Sequence, residues 1–138
     1  MIDFGSPQYD QMIHLREEIL RRPLGLHFDK KELEEEKKDV LIGAFDDDRI
    51  LGCCLLSPVS DRQVRLRQMA VRNNLQGKGI GRALMSFAEN VARDQGYKTL
   101  IMHARKTAVG FYEKLGYQQV GKEFIEVTIP HVVMEKTL

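Results

Sequence analysis

The chain has 138 residues, 43% of them hydrophobic, so it is long enough to form one domain around a genuine core. Charged residues make up 30% of the sequence but sum to a net charge of only +1, and the basic residues are dispersed, which argues against nucleic acid or a membrane surface as a partner. No apolar stretch approaches the length of a membrane span, and the N-terminus lacks a signal-peptide pattern, so we expect a cytoplasmic protein.

The N-terminal part of the chain is expected to be mainly helical. Residues 2–4 predict a short first strand, and a helix is predicted from about Gln8 to Leu20, which Pro23 prevents from continuing. Asp29, three residues before Glu32, resembles a capping box for a second helix. Because the segment that follows is almost wholly charged, we interpret it as a solvated face or loop.

A β-hairpin is expected next. The segments Val40–Phe45 and Ile50–Leu56 read as strands joined by an aspartate-rich turn. The only cysteines, Cys53 and Cys54, are adjacent on the second strand. Neighbouring strand residues point to opposite faces of a sheet, so this pair indicates packing residues, and neither a disulfide nor a metal site.

The most informative segment is Gln76–Gly81, a run of three glycines that includes Lys78. It follows a strand-like segment, Val64–Val71, and precedes apolar residues at helical spacing. The glycines therefore fall at the first turn of a helix, where backbone N–H groups are free and the helix dipole is positive. Glycine lets phosphates approach the backbone, and Lys78 and Arg82 add positive charge. This pattern predicts a diphosphate site, the alternative being a glycine-rich turn that only joins two elements.

The glycine spacing excludes the two commonest diphosphate loops. A Walker A loop requires Ser or Thr after a Gly-Lys pair, and the chain has neither there. The dinucleotide fingerprint requires Gly-x-Gly-x-x-Gly, which does not continue beyond Gly81. The remaining pattern is Gln-x-x-Gly-x-Gly, read from Gln76 through Gly79 to Gly81.

A second motif lies further along the chain. Thr99–His103 reads as a short buried strand, and Ala108–Tyr117 as a short amphipathic helix that stops at Gly116. Its predicted apolar stripe consists of Ala108, Phe111 and Leu115. Tyr112 lies beside that stripe, so its ring can pack while its hydroxyl reaches into a cleft. Two final strands, Gln118–Ile125 and Ile129–Met134, are expected to complete the sheet.

Together the two motifs resemble those of the GNAT N-acetyltransferase superfamily, with Tyr117 in place of a final Phe. The resemblance covers roughly residues 40–138 and implies an α/β fold with a mixed, mostly antiparallel sheet of six to seven strands and about four helices on both faces. We expect residues 1–138 to form a single domain of this kind. The implied activity is transfer of an acetyl group from acetyl-CoA to a primary amine, by direct attack in a ternary complex. The alternatives are a non-catalytic acetyl-CoA-binding regulatory module and a different nucleotide-binding protein.

The resemblance also implies roles for individual residues. Backbone N–H groups from Gln76 to Arg82 would hold the pyrophosphate, and the segment Met69–Val71 would hold the pantetheine arm and offer an N–H group to the oxyanion. Tyr112 would donate a proton to the leaving thiolate. The implied coenzyme-binding residues are Met69, Ala70, Val71, Gln76, Gly77, Lys78, Gly79, Ile80, Gly81, Arg82, Arg105 and Tyr112. Arg105 departs from the family pattern, which often has Asn there, and an arginine could reach a phosphate, a carbonyl or the substrate instead.

The sequence does not single out the base that deprotonates the amine. His103, Glu126 and His131 are the candidates, and we place His131 and His103 with Tyr112 in the predicted catalytic set. The segment from Ile129 to His131 resembles the closing segment of some GNAT subgroups. A structural role is the alternative for each histidine.

The acceptor is expected to be a small-molecule or peptide amine. Arg65 and Arg67 alternate on their predicted strand, so they face either the acceptor or an exposed sheet surface. The first arrangement would favour an acceptor with a carboxylate or phosphate near its amine. No spacing of His, Cys, Asp and Glu suggests a metal site. Edge strands at both ends of the predicted sheet are compatible with a homodimer.

Overall fold

The computed structural model describes every residue from Met1 to Leu138. Its strands are β1 (Val40–Asp46), β2 (Arg49–Pro58), β3 (Gln63–Val71), β4 (Thr99–Arg105), β5 (Gln118–Glu126) and β6 (Ile129–Thr137). They form one sheet of six strands in the order β1-β2-β3-β4-β6-β5. Neighbouring strands are antiparallel except β3 and β4, which are parallel. The predicted mixed and mostly antiparallel sheet is confirmed.

The α-helices are α1 (Pro7–Arg16), α2 (Lys30–Glu34), α3 (Ile80–Asp94) and α4 (Val109–Lys114). A π-helical turn, Glu17–Arg21, extends α1 before Pro23 ends it, in agreement with the predicted helix. The predicted cap of α2 is also present, because Asp29 Oδ1 accepts a hydrogen bond of 2.7 Å from the Glu32 N–H group. Shorter 3₁₀ turns are Arg22–Leu24, Glu35–Lys38, Asn73–Leu75 and Lys106–Ala108. None of the helices combines the length and the apolar character that crossing a membrane would require.

The helices cover both faces of the sheet and enclose two apolar clusters. On the α3 side, Cys54 packs in a cluster with Leu84 and Met85 of α3. On the α1 side, Cys53 packs in a cluster with Met12 of α1. Both thiols are free and buried. The expectation that the adjacent cysteines point to opposite faces is therefore confirmed.

The strand predicted at residues 2–4 is wrong. Ile2 makes a single bridge to β1, through a hydrogen bond of 2.7 Å from its N–H group to the Leu41 carbonyl. Gly5, with φ of 78°, then turns the chain, and Ser6 caps α1 by accepting a hydrogen bond from the Tyr9 N–H group. The turn and the cap begin too soon for a strand to form.

A buried ion pair ties α1 to the turn that follows α2. Arg16 and Glu36 are 0% and 3% exposed, and Arg16 Nη1 donates to Glu36 Oε1 at 2.8 Å. The Tyr9 hydroxyl donates to the same oxygen at 2.8 Å, and the Arg16 guanidinium lies 4.5 Å from the centre of the Phe28 ring. Glu36 is thus an exception to the solvated face that we predicted for the charged segment around it.

Strand β3 contains a bulge that reverses which face its side chains occupy. Leu66 belongs to the α3-side cluster, whereas Ala70, four residues later, belongs to the α1-side cluster. Between them Gln68 has φ of 57°, a left-handed conformation that is uncommon for a residue other than glycine. The register between β2 and β3 shifts at the same place. One extra residue in the strand accounts for both observations.

Candidate active site

A gap opens between the two parallel strands at their carboxyl ends. The pairing of β3 with β4 runs from Gln63 opposite Thr99 to Leu66 opposite Met102, and there it stops. The rest of β3, including Met69–Val71, keeps its pairing with β2 but has no strand partner on its other edge. The carboxyl ends of neighbouring parallel strands are a common ligand site in α/β proteins. Backbone groups on this free edge of β3 are available to a ligand.

Helix α3 begins beside this gap with free N–H groups. Its N-cap residue, Gly79, has φ of 89° and offers no side-chain cap. The Ala83 N–H group bonds to the Gly79 carbonyl at 3.0 Å, which is the first hydrogen bond of the helix. The N–H groups of Ile80, Gly81 and Arg82 therefore have no acceptor within the helix.

The side chains around this helix start leave it accessible to an anion. Lys78 and Arg82 are exposed, as is the whole segment from Gln76 to Gly79. The Gln76 side-chain amide donates to the Val71 carbonyl at 3.1 Å and so fastens the loop to the end of β3. A Cβ atom added at Gly79 would meet nothing within 4 Å, so the space beside this residue is open and the residues present fit a diphosphate.

Helix α4 buries the Tyr112 ring as predicted but places Phe111 differently from the prediction. Phe111, which we expected to pack in the apolar stripe, is 39% exposed, whereas Tyr112 is 6% exposed and lies in the α3-side cluster. The Phe111 ring covers the start of α3, and a Cβ atom added at Gly81 would lie 3.2 Å from its Cζ atom. Ala108 and Leu115 of the predicted stripe do pack against the α3-side cluster, so the prediction is wrong for Phe111 alone.

The Tyr112 hydroxyl is free to bind a ligand. Burial, together with nearby Cys54, raises the pKa of Tyr112 well above its ordinary value, so the hydroxyl stays protonated at neutral pH. No protein group forms a hydrogen bond with this hydroxyl. The hydroxyl is also not fully buried, unlike the three side-chain atoms that are buried without a partner, which are Arg16 Nε, Asp39 Oδ1 and Arg65 Nε. The Tyr112 hydroxyl is thus a neutral hydrogen-bond donor that has no acceptor within the protein.

The opposite face of the sheet carries a polar cluster at the same gap. We call Arg65, His103, Glu126 and His131 the polar cluster. His103 Nδ1 lies 2.9 Å from Arg65 Nη2 and 3.0 Å from Glu126 Oε1. The Phe124 ring meets His103 edge-on at 5.2 Å and stacks on His131 at 6.0 Å. The structure therefore brings together three candidates for the base, from β4, β5 and β6.

The ionisation of the polar cluster follows from its contacts. Partial burial raises the pKa of Glu126, but the hydrogen bond and charge of His103, with the charges of His131 and Arg65, outweigh it and lower the pKa below its ordinary value. Glu126 is thus a carboxylate at neutral pH. His131 Nδ1 lies 2.7 Å from the Ile129 carbonyl, which can only accept, so this nitrogen carries a hydrogen. The other ring nitrogen of neutral His131 is then an acceptor.

Tyr112 and the two histidines lie on opposite faces of the sheet. Tyr112 packs on the α3 side, whereas His103 and His131 occupy the strand positions that alternate with the α3-side residues Met102 and Val132. The pairing of β3 with β4 ends at Met102, one residue before His103. Arg105 follows His103 by two residues on β4, is partly buried and lies opposite His131.

Sequence reasoning missed Phe124 and the bulge at Gln68. Phe124 sits in a strand that is largely exposed, and no spacing in the sequence links it to the histidines. The sequence gives no sign of a bulge at Gln68, since glutamine rarely adopts a positive φ. The sequence allows Arg65 to face either the acceptor or an exposed sheet surface. Its contacts with His103 and Glu126 place it in the polar cluster.

The sheet opens between two parallel strands, and an uncapped, glycine-containing helix start lies beside the opening. These two features are typical of α/β proteins that bind a diphosphate-bearing ligand at that edge. The sequence profile described as "Acetyltransferase (GNAT) domain" matches residues 24–138. The chain belongs to this family.

Known proteins resemble the chain over most of its length. The chain is 28% identical over 135 residues to the uncharacterized N-acetyltransferase YjcF of Bacillus subtilis, which covers 96% of this chain and 94% of that protein. A provisionally assigned N-acetyltransferase from Lactobacillus plantarum has a TM-score of 0.85 at 27% identity, covering 96% of this chain and 93% of that one. An aminoglycoside 6′-N-acetyltransferase in complex with coenzyme A has a TM-score of 0.82 at 21% identity, covering 99% and 94% of the two chains. Matches to three other curated relatives span only 43%, 49% and 50% of those proteins' lengths.

Proposed function

We propose that this protein is an acetyl-CoA-dependent N-acetyltransferase that transfers the acetyl group directly to a primary amine while both substrates are bound. The observation that carries the proposal is the start of α3, whose free N–H groups and exposed Lys78 and Arg82 stand beside the open edge of β3. Family membership supports the same activity. A fold neighbour that binds coenzyme A supports the choice of carrier.

The proposed coenzyme site has three parts. Backbone N–H groups of the segment from Gln76 to Arg82 bind the pyrophosphate, because a helix start is both positive and rich in free donors. The free edge of β3 at Met69–Val71 binds the pantetheine arm by strand-like hydrogen bonds. Arg105, on the facing strand β4, supplies a charged contact from the other wall of the gap.

The proposed reaction uses groups from both faces of the sheet. The amine nitrogen attacks the thioester carbonyl, an N–C bond forms, and the C–S bond breaks. A backbone N–H group at Met69–Val71 stabilises the oxyanion, which is typically worth about 100- to 1000-fold in rate. His131 or His103 accepts the proton that the amine loses. Tyr112 donates to the departing sulfur, mainly as a hydrogen bond, since its raised pKa makes complete proton transfer to a thiolate unfavourable.

The experiment that tests the proposal separates binding from turnover. Isothermal calorimetry with acetyl-CoA should give a single site, and thiol release should appear with at least one amine from a broad panel. Coenzyme binding without turnover on any amine would favour the alternative, a non-catalytic regulatory module. A thermal shift with ATP or NAD but none with acetyl-CoA would contradict both.

A homodimer is a further part of the proposal. Strands β1 and β5 form the two edges of the sheet, and β5 is exposed along most of its length. Exposed edges are sites where strands from a second chain can pair. Analytical ultracentrifugation over a range of concentrations tests this part independently of activity.

A further inference from the structure

Two atoms of the polar cluster lie close together without a hydrogen bond between them. Glu126 Oε2 and His131 Nε2 are 3.7 Å apart. Since His131 Nδ1 carries the hydrogen that it donates to the Ile129 carbonyl, neutral His131 presents only a lone pair at Nε2. A carboxylate oxygen also only accepts. A group with two or more N–H hydrogens can bond to both atoms at once, and a protonated primary amine is such a group.

A donor without an acceptor lies in the same cluster. Arg65 Nε is buried and has no hydrogen-bond partner, although one terminal nitrogen of Arg65 contacts His103. The Arg65 side chain as a whole is 30% exposed, so a ligand can reach part of it while Nε itself is covered. Buried donors in folded proteins usually have a partner, and an unpartnered guanidinium nitrogen suits an anion.

The two unfilled positions are close together. Arg65 Nη2, on the same guanidinium as Nε, is 3.9 Å from Oε1 of the Glu126 carboxylate whose other oxygen faces His131, so the guanidinium and the acceptor pair belong to one cluster. Arg67 and Arg105 lie on the same face of the sheet as Arg65 and His103 and add positive charge. A ligand that fills both positions needs an ammonium group and an anionic group separated by only a few bonds.

We infer that the acceptor is a small primary amine that also carries a carboxylate or phosphate a few bonds from the nitrogen. Its ammonium group binds between Glu126 and His131, and its anionic group binds Arg65. This inference rests on the proposed acetyltransferase function and names the substrate class of that same site.

The arrangement also accounts for the proton. The ammonium group donates one hydrogen bond to Glu126 and transfers one proton to His131 Nε2. The charge of the imidazolium that forms is stabilised by the Glu126 carboxylate, whose Oε2 lies 3.7 Å from Nε2, and the neutral amine keeps a lone pair for attack. After attack the nitrogen loses a second proton, which ends on the departing thiolate to give the free thiol of coenzyme A, so the step needs no other reactant.

The test compares amines that differ only in the anionic group. Glycine, β-alanine and γ-aminobutyrate are paired with methylamine, ethylamine and propylamine, and O-phosphoethanolamine distinguishes phosphate from carboxylate. Thiol release gives kcat/KM for each compound, and calorimetry gives its affinity for the protein saturated with coenzyme A. We expect the best anionic amine to exceed its neutral partner by roughly 10- to 150-fold in kcat/KM, the range for a hydrogen-bonded charge.

The Arg65→Gln variant should reduce that preference to nearly one, and Arg65→Lys should restore part of it. The ratio is the informative quantity, because any effect of Arg65 on His103 acts on both members of a pair. Arg49→Gln is the matched control, since Arg49 is an exposed arginine at the start of β2. It should leave the preference unchanged.

The outcomes separate this inference from the proposed function. Equal or faster turnover of the neutral amines would overturn the inference and leave the acetyltransferase function intact. The inference also fails if coenzyme A binds but no anionic amine binds or reacts. Absence of coenzyme A binding would contradict the proposed function itself. A preference that persists in Arg65→Gln would assign the anion to another residue.

Discussion

Replacing Gly79 by alanine tests the coenzyme site at the residue where the chain enters α3. Gly79 has φ of 89°, and a Cβ atom there would meet nothing within 4 Å. The substitution therefore adds no clash, and its effect comes from the backbone. An L-residue in the left-handed region costs about 1 to 2 kcal/mol, so the free energy of unfolding should fall by that amount. The midpoint of thermal unfolding should fall by roughly 2 to 8 °C.

The larger effect of Gly79→Ala is expected on coenzyme affinity. If the alanine relaxes out of the left-handed region, the N–H groups of Ile80 and Gly81 turn away from the diphosphate. A hydrogen bond to a charged group contributes about 1.5 to 3 kcal/mol, so the loss of one weakens binding by roughly 10- to 150-fold. Calorimetry with coenzyme A measures this change directly.

Gly96→Ala is the matched control for Gly79→Ala. Gly96 lies just beyond the other end of α3, has φ of 88° and also has nothing within 4 Å of an added Cβ atom. It should lose similar stability while keeping its affinity for coenzyme A. If both variants bind coenzyme A as tightly as the unmodified protein, the start of α3 does not hold the diphosphate and the reasoning is refuted.

Three further predictions concern buried groups. Tyr112→Phe should lower kcat by roughly 10- to 150-fold with unchanged coenzyme affinity, the range for loss of one hydrogen bond to a charged group, as measured by single-turnover thiol release, and an unaltered kcat would exclude Tyr112 from the reaction. Arg16→Met should destabilise the protein by about 3 to 5 kcal/mol in urea denaturation because it leaves Glu36 buried and unpaired, whereas Arg16→Met with Glu36→Leu should recover most of the loss; equal losses would show that the charge is not the cause. Burial raises the pKa of Cys53 to about 12 and that of Cys54 still further, so iodoacetamide at pH 8 should label neither thiol until the protein unfolds, and rapid labelling of the folded protein would contradict this.

The sequence by itself determined most of the local elements and the glycine motif at the start of α3. The start of α3 was predictable because its signal is local: glycines that permit positive φ lie between a strand pattern and a helix pattern. The alternation of Cys53 and Cys54 between two cores was predictable for the same reason, since the side-chain period of a strand is fixed by its geometry. The cap at Asp29 likewise depends only on residues within one turn.

Only the tertiary structure decided how the strands meet and what lies at their opening. The polar cluster joins Arg65 to Glu126 although they are 61 positions apart in the printed sequence, and no periodicity encodes that distance. The bulge at Gln68 and the end of pairing at Leu66 arise from packing against both cores, which can hold a residue in a conformation that its own preference disfavours. Local sequence patterns reflect interactions between residues that are only a few positions apart in the chain. The gap and the polar cluster depend on groups brought together by folding, where the balance of burial and charge is set by neighbours distant in the chain.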